Sequence, residues 1–129
     1  MIIQTGMRTD IPAFYSEWLM NRIQEGFVLE RNPYNPAQVT KYSLSPEVVD
    51  LIAFCTKNPA LMLPFMDRLT PYGQYWFVTI TPYGRDIEPN VPDMGTVMDN
   101  FKILSDIVGV DSIGWRYDPI LVDAAHTVE

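Results

Sequence analysis

The apolar positions of this chain fall into two periods. Short, nearly continuous apolar runs at Met1–Gln4, Phe27–Leu29, Val48–Cys55, Tyr75–Thr81 and Ile113–Trp115 read as five main strands. Between them lie stretches with helical spacing. Tyr15, Trp18, Leu19 and Ile23 share one face of a helix predicted over Phe14–Glu25, with Gly26 just beyond its end. Val97, Phe101, Leu104 and Val108 form the buried stripe of a second, predicted from Asp93 to Val108 and closed by Gly109. Asn58-Pro59 repeats the cap-then-proline signal of Ser45-Pro46 and predicts a third helix to about Leu69, bent at Pro64. After the turn cluster Asn32-Pro33-Tyr34-Asn35-Pro36, alternation over Val39–Leu44 predicts an extra strand forming a hairpin. Val48–Cys55 is apolar apart from Asp50, which predicts a strand covered on both faces.

Strands alternating with helices imply βαβ units and a parallel sheet. The expected fold is therefore α/β, a parallel sheet of βα units with one extra hairpin strand. A closed (β/α)₈ barrel needs roughly 250 residues, and the chain has 129. Residues 1–129 are accordingly read as one partial domain, about half of a TIM-like barrel.

Composition narrows the function classes. Apolar residues at 47% and charged residues at 19% fit a globular domain. A net charge of −7 argues against a general nucleic-acid or anionic-membrane binder. No apolar run approaches the ~20 residues of a spanning helix, and the start lacks the pattern of a secretory signal. One cysteine, Cys55, allows no internal disulfide and reads as core, so a cytoplasmic location is expected. The methionines, Trp18 and Trp76 also read as core. His126, in the weakly patterned tail Val122–Glu129, reads as exposed and idle.

Charge placement carries the chemistry. Arg8, Arg31, Lys57, Arg85 and Arg116 each follow one of the five main strands, while Arg22, Lys41, Arg68 and Lys102 fall elsewhere. Asp10, Glu30, Asp86, Glu88 and Asp118 lie beside the first group. In a parallel sheet the strand ends emerge on one side, the usual place for a ligand. The expected site is a polar rim with Asp10, Lys57 and Asp118 as catalytic candidates and Arg8, Tyr83 and Arg116 as ligand contacts, binding an anionic small molecule. Arg116 and Asp118 point to one side, and Lys57 precedes a predicted helix N-terminus, a natural anion site. Charges also avoid strand interiors in any α/β fold, so structural ion pairs remain open for Arg8 with Asp10 and for Arg116 with Asp118. No metal site is expected.

Several segments resemble an uncharacterised bacterial family, domain of unknown function eighteen-forty-eight. They are Arg8-Thr9-Asp10-Ile11-Pro12-Ala13-Phe14-Tyr15, Asn32-Pro33-Tyr34-Asn35, Thr56-Lys57-Asn58-Pro59, Tyr83-Gly84 with Glu88-Pro89-Asn90-Val91-Pro92, and Trp115-Arg116-Tyr117-Asp118-Pro119-Ile120. The resemblance implies a barrel-like α/β fold related to radical S-adenosylmethionine enzymes. It also implies a C-terminal cysteine cluster holding an iron–sulfur centre in full-length relatives. Cys55 stands where the family usually has tryptophan, and a three-thiolate cluster cannot be built from one cysteine. The chain therefore reads as the N-terminal part of such a protein, without the cofactor and with a missing half or self-association as expected partners. A small acid–base or hydrolytic enzyme, or an interaction module completing a barrel with a partner chain, are the alternative readings.

Overall fold

A computed structural model describes residues 1–127. Strand β1 (Ile2–Gln4) leads through Thr5–Asp10 into a four-residue helix α1 (Ile11–Phe14) and then α2 (Ser16–Glu25). The single helix predicted from Phe14 is thus broken at Tyr15, where φ −133° and ψ 28° leave the helical region. α2 ends as predicted on Gly26, whose φ of 78° costs a glycine nothing.

β2 (Phe27–Arg31) pairs antiparallel with β3 (Val39–Ser43) as a separate two-stranded sheet. The hairpin was expected, but β2 was also expected in the parallel sheet, and the hairpin has taken it out. β4 (Leu51–Thr56), β5 (Gly73–Thr79) and β6 (Ile113–Arg116) join β1 in one parallel sheet of order β1-β4-β5-β6. The parallel sheet therefore has four strands rather than five. Between β4 and β5 the predicted helix from Asn58 is instead a turn followed by a 3₁₀ helix, Leu63–Leu69. Pro64 lies in its first turn, where a missing N–H does no harm. α3 (Met94–Val108) starts on Asp93, which accepts the Thr96 N–H at 3.0 Å, and connects β5 to β6.

The sheet buries one face. Ile52, Phe54, Trp76, Val78 and Ile113 are buried against Leu19 and Met20 of α2, Met66 and Leu69 of the 3₁₀ helix, and Val97 and Leu104 of α3. Phe54 and Trp76 stack at the centre, their ring centroids 4.0 Å apart and their planes 18° from parallel. Burial along β4 alternates strictly, with Leu51, Ala53 and Cys55 only half-buried. The expectation of a strand covered on both faces fails for this reason: the described elements supply helices on one side only. Trp115, at the end of the apolar run Ile113–Trp115, is 65% exposed because β6 is an edge strand. Trp18 is also exposed, as are Met7, Met94 and Met98, whereas Trp76, Met20, Met62 and Met66 are core. Among the described residues no helix is long and apolar enough to cross a membrane.

The stacked aromatic pair should dominate stability. Phe54→Ala is expected to cost about 3–5 kcal/mol in urea unfolding. Tyr34→Ala, at a position 96% exposed, should stay within about 0.5 kcal/mol of wild type.

Candidate functional site at the strand-end rim

The carboxyl ends of β1, β4, β5 and β6 share one rim, and each predicted residue can be placed against it. Asp10 caps α1 through Oδ1, which accepts the Ala13 N–H at 3.0 Å. Its Oδ2 accepts the backbone N–H of Lys57 at 2.8 Å. One carboxylate thus ties the loop after β1 to the end of β4, and both of its oxygens are engaged. Lys57 turns its side chain to the loop after β5, where its ammonium pairs with Glu88 Oε1. Glu88 Oε2 accepts the Thr81 hydroxyl at 2.5 Å.

Glu88 is held by its loop, since its N–H and that of Ile87 both donate to Gly84 C=O, at 2.9 and 3.1 Å. Its side chain is 10% exposed and that of Lys57 is 30% exposed. Burial pushes the Glu88 carboxyl up, but hydrogen bonds from Lys57 and Thr81, with the charge of Lys57, outweigh it. The result is a carboxyl below its ordinary range.

On the next strand, Arg116 sits opposite Thr79, and its Nε donates to Thr79 Oγ1 at 3.3 Å. Arg116 Nη2 and Asp118 Oδ2 are 3.7 Å apart, with side chains 50% and 62% exposed. Neighbouring strands lie about 4.8 Å apart, so the ends carrying Lys57, Thr79 and Arg116 span roughly 10 Å. The rim is also collared by buried threonines: Thr5, Thr56, Thr79 and Thr81 are four of the five buried polar residues among those described. Thr56 Oγ1 accepts the Asn58 N–H and Asn58 Oδ1 accepts the Ala60 N–H, at 2.9 and 3.2 Å. These turns, with the Asp10 tether, engage the N–H groups that the predicted helix would have offered to an anion. That expected helix-start site is corrected accordingly.

Two predicted ligand contacts lie elsewhere. Arg8 reaches across to the hairpin, donating from Nη2 to Glu30 Oε1 at 3.1 Å and to Arg31 C=O at 3.5 Å. Of the two readings left open for Arg8 with Asp10, the ion pair does not form: Arg8 pairs with Glu30 instead. Tyr83 anchors the tail: its hydroxyl donates to Pro119 C=O at 2.9 Å and accepts from Leu121 N–H at 2.6 Å. His126, expected idle, packs edge-on against Tyr83, centroids 5.6 Å apart, and meets Asp123 Oδ1 at 2.8 Å. The tail expectation also covered Val128 and Glu129, which lie outside the described residues.

The donor set does not fit an iron–sulfur cluster. Cys55 is alone, and a Cβ on Gly6 would fall 2.5 Å from Cys55 Cβ and 3.1 Å from Sγ, so the thiol packs against β1's exit. No group of three or more histidine, cysteine or acidic side chains could hold a metal among the described residues. What the rim offers instead is a neutralised, well-held lysine beside an arginine with a long, exposed counter-ion contact.

Residues 2–129 match the family model described as Domain of unknown function (DUF1848). The chain belongs to that family. No curated protein and no solved structure matches it. In this DUF1848 chain the sequence reading passed over Glu88 and the threonines as site residues. Glu88 was visible as a rim acid, and the signal for the threonines was Thr as the last or next residue of three strands.

A depressed carboxyl contributes stability that is present above the ordinary glutamate range and is lost as pH falls through its folded value. Glu88→Gln should therefore flatten the acid limb of a melting-temperature profile relative to wild type. Asp50, Asp93 and Asp123, also held low, keep part of that limb in the variant.

Proposed function

We propose that this chain forms part of a barrel-type α/β enzyme related to radical S-adenosylmethionine enzymes, and that its strand-end rim binds an anionic small molecule. One observation carries the reading: Lys57 and Arg116 stand on either side of Thr79, on consecutive strand ends of one parallel sheet. Arg116 is the principal anion contact, because Asp118 meets it only at 3.7 Å and at an exposed position. Lys57 supplies a second contact when a ligand oxygen competes with Glu88. The Lys57–Glu88–Thr81 relay is the group able to move a proton at the rim. Asp10 acts as a positioning residue, since its oxygens are spent on α1 and on the Lys57 backbone. The protein works in a reducing cytoplasm, in keeping with its single free thiol.

Calorimetric titration with inorganic phosphate tests the rim. Two or three charge-assisted bonds contribute about 1.5–3 kcal/mol each in gross terms. Arg116→Ala should weaken binding by roughly tenfold or more. Lys57→Ala should weaken it as well, because it removes one cation and leaves the Glu88 carboxylate to repel the anion. Lys102→Ala is the control, since Lys102 pairs with Asp99 on the exposed side of α3. Arg68, which donates to Met20 C=O at 3.3 Å, reports on folding instead. Equal losses in all variants would reduce the rim to ordinary surface charge.

The same reading holds that the chain alone retains no four-iron cluster, because one thiolate cannot anchor it. Anaerobic reconstitution followed by iron analysis checks this. About four irons per monomeric chain, with gel filtration excluding a shared cluster, would overturn it.

A further inference from the structure

The Lys57–Glu88–Thr81 cluster lies over the two central strands of the four-stranded sheet, away from both of its edges. Lys57 follows the last residue of β4, and Thr81 comes shortly after the end of β5. Ligands of parallel sheets sit at this carboxyl end. Here the place is taken by a side chain of the protein itself. Lys57 Nζ donates to Glu88 Oε1, and the Thr81 hydroxyl donates to Oε2 at 2.5 Å. Two donors from adjacent strands thus hold the two oxygens of one carboxylate.

That carboxylate comes from outside the sheet. Gly84–Ile87, Pro89 and Asn90 around it are exposed, whereas the Glu88 side chain is 10% exposed. The backbone bonds of this loop are local, from Ile87 and Glu88 N–H to Gly84 C=O and from Val91 N–H to Glu88 C=O at 3.2 Å. Among the described residues, only the two bonds at the Glu88 carboxylate join residues 84–92 to the rest of the molecule by hydrogen bond or ion pair.

We propose that the anion of the rim is a small carboxylate whose carboxyl group displaces Glu88 from Lys57 and Thr81 and so unlatches residues 84–92. Glu88 is then an internal stand-in for the ligand. The donors select the class. One donor for each oxygen satisfies a planar carboxylate, whereas the further oxygens of a phosphate would enter a partly buried place without donors of their own. Arg116, on the next strand, is open to either anion. This inference rests on the anion-binding reading above and names the class of its ligand.

Calorimetric titration with sodium acetate tests the subsite. Glu88→Ala should bind acetate roughly tenfold or more tightly than wild type, since it removes the internal competitor. Its gain for inorganic phosphate should be smaller. Adding Lys57→Met to Glu88→Ala should abolish the acetate gain. Circular dichroism and thermal melts report whether the variants fold. Glu88→Gln, which keeps the shape and drops the charge, carries the test where Glu88→Ala does not. The latch is read in the wild type. Excess acetate should speed tryptic cleavage after the exposed Arg85, with sodium chloride at equal ionic strength as the control, and Glu88→Ala should be cut faster without acetate. No acetate gain in a folded Glu88 variant, equal gains for both anions, or cleavage that acetate leaves unchanged would overturn the proposal. Phosphate titration of the wild type separates the two failures. Binding that depends on Arg116, without an acetate gain, refutes the displacement alone, while no phosphate binding and no acetate gain refute the rim reading too.

Discussion

A parallel sheet has no hairpins to hold it, so its strands depend on what packs against their faces. Here that burden falls on one face. Phe54 and Trp76 are fully buried within a layer that includes Met20, Leu69 and Leu104, and they fix the register of β4 against β5. The opposite face presents Ala53, Cys55, Tyr75 and Phe77 without a covering helix among the described residues. Apolar burial contributes about 25 cal/mol per Å², so a sheet covered once gains about half of what parallel sheets ordinarily gain. The edges and the open face are therefore one consequence of a single shortage, and the rim is the place where the covered and uncovered sides meet.

Much of this was legible in the sequence. Helical spacing at Val97, Phe101, Leu104 and Val108 located α3 between Asp93 and Gly109, and Gly26 marked the end of α2. Period alone could not say which strands pair. Phe27–Arg31 has the apolar run of a parallel strand, yet the turn at Asn32–Pro36 returns the chain directly, and a local hairpin closes at less entropic cost than a crossover. The continuous apolar run at Val48–Cys55 misled in the opposite direction. Apolar residues on a face do not bring a layer to cover it, and only the three-dimensional count of helices shows which face goes without.

The site was legible in its charges and not in their pairing. Arg8 with Asp10 and Arg116 with Asp118 share the same spacing, one residue between an arginine and an aspartate. The second pair meets at the end of β6, whereas the first is split because Asp10 has stronger claims. A cap bond and a bond to the Lys57 N–H are charge-assisted and partly buried, worth more than an exposed ion pair. Arg8 is then free to cross to Glu30. The decision between partners 20 and more residues away is made by burial, which spacing does not encode.

The same reasoning ranks the cations of the rim. Lys57 is one-third exposed and sits against a carboxylate that is nearly buried, so its charge is largely cancelled where a ligand would approach. Removing either member would strand the other in a partly desolvated position, which is the usual reason such pairs are costly to break. Arg116 is in the reverse situation. Its Nε is fixed by Thr79, and its counter-ion contact is long and exposed. A guanidinium oriented through one nitrogen and left unsaturated through the others loses little entropy when an oxyanion binds. Within a chain of net charge −7, that oriented and incompletely neutralised arginine is the feature on which the proposed anion binding rests.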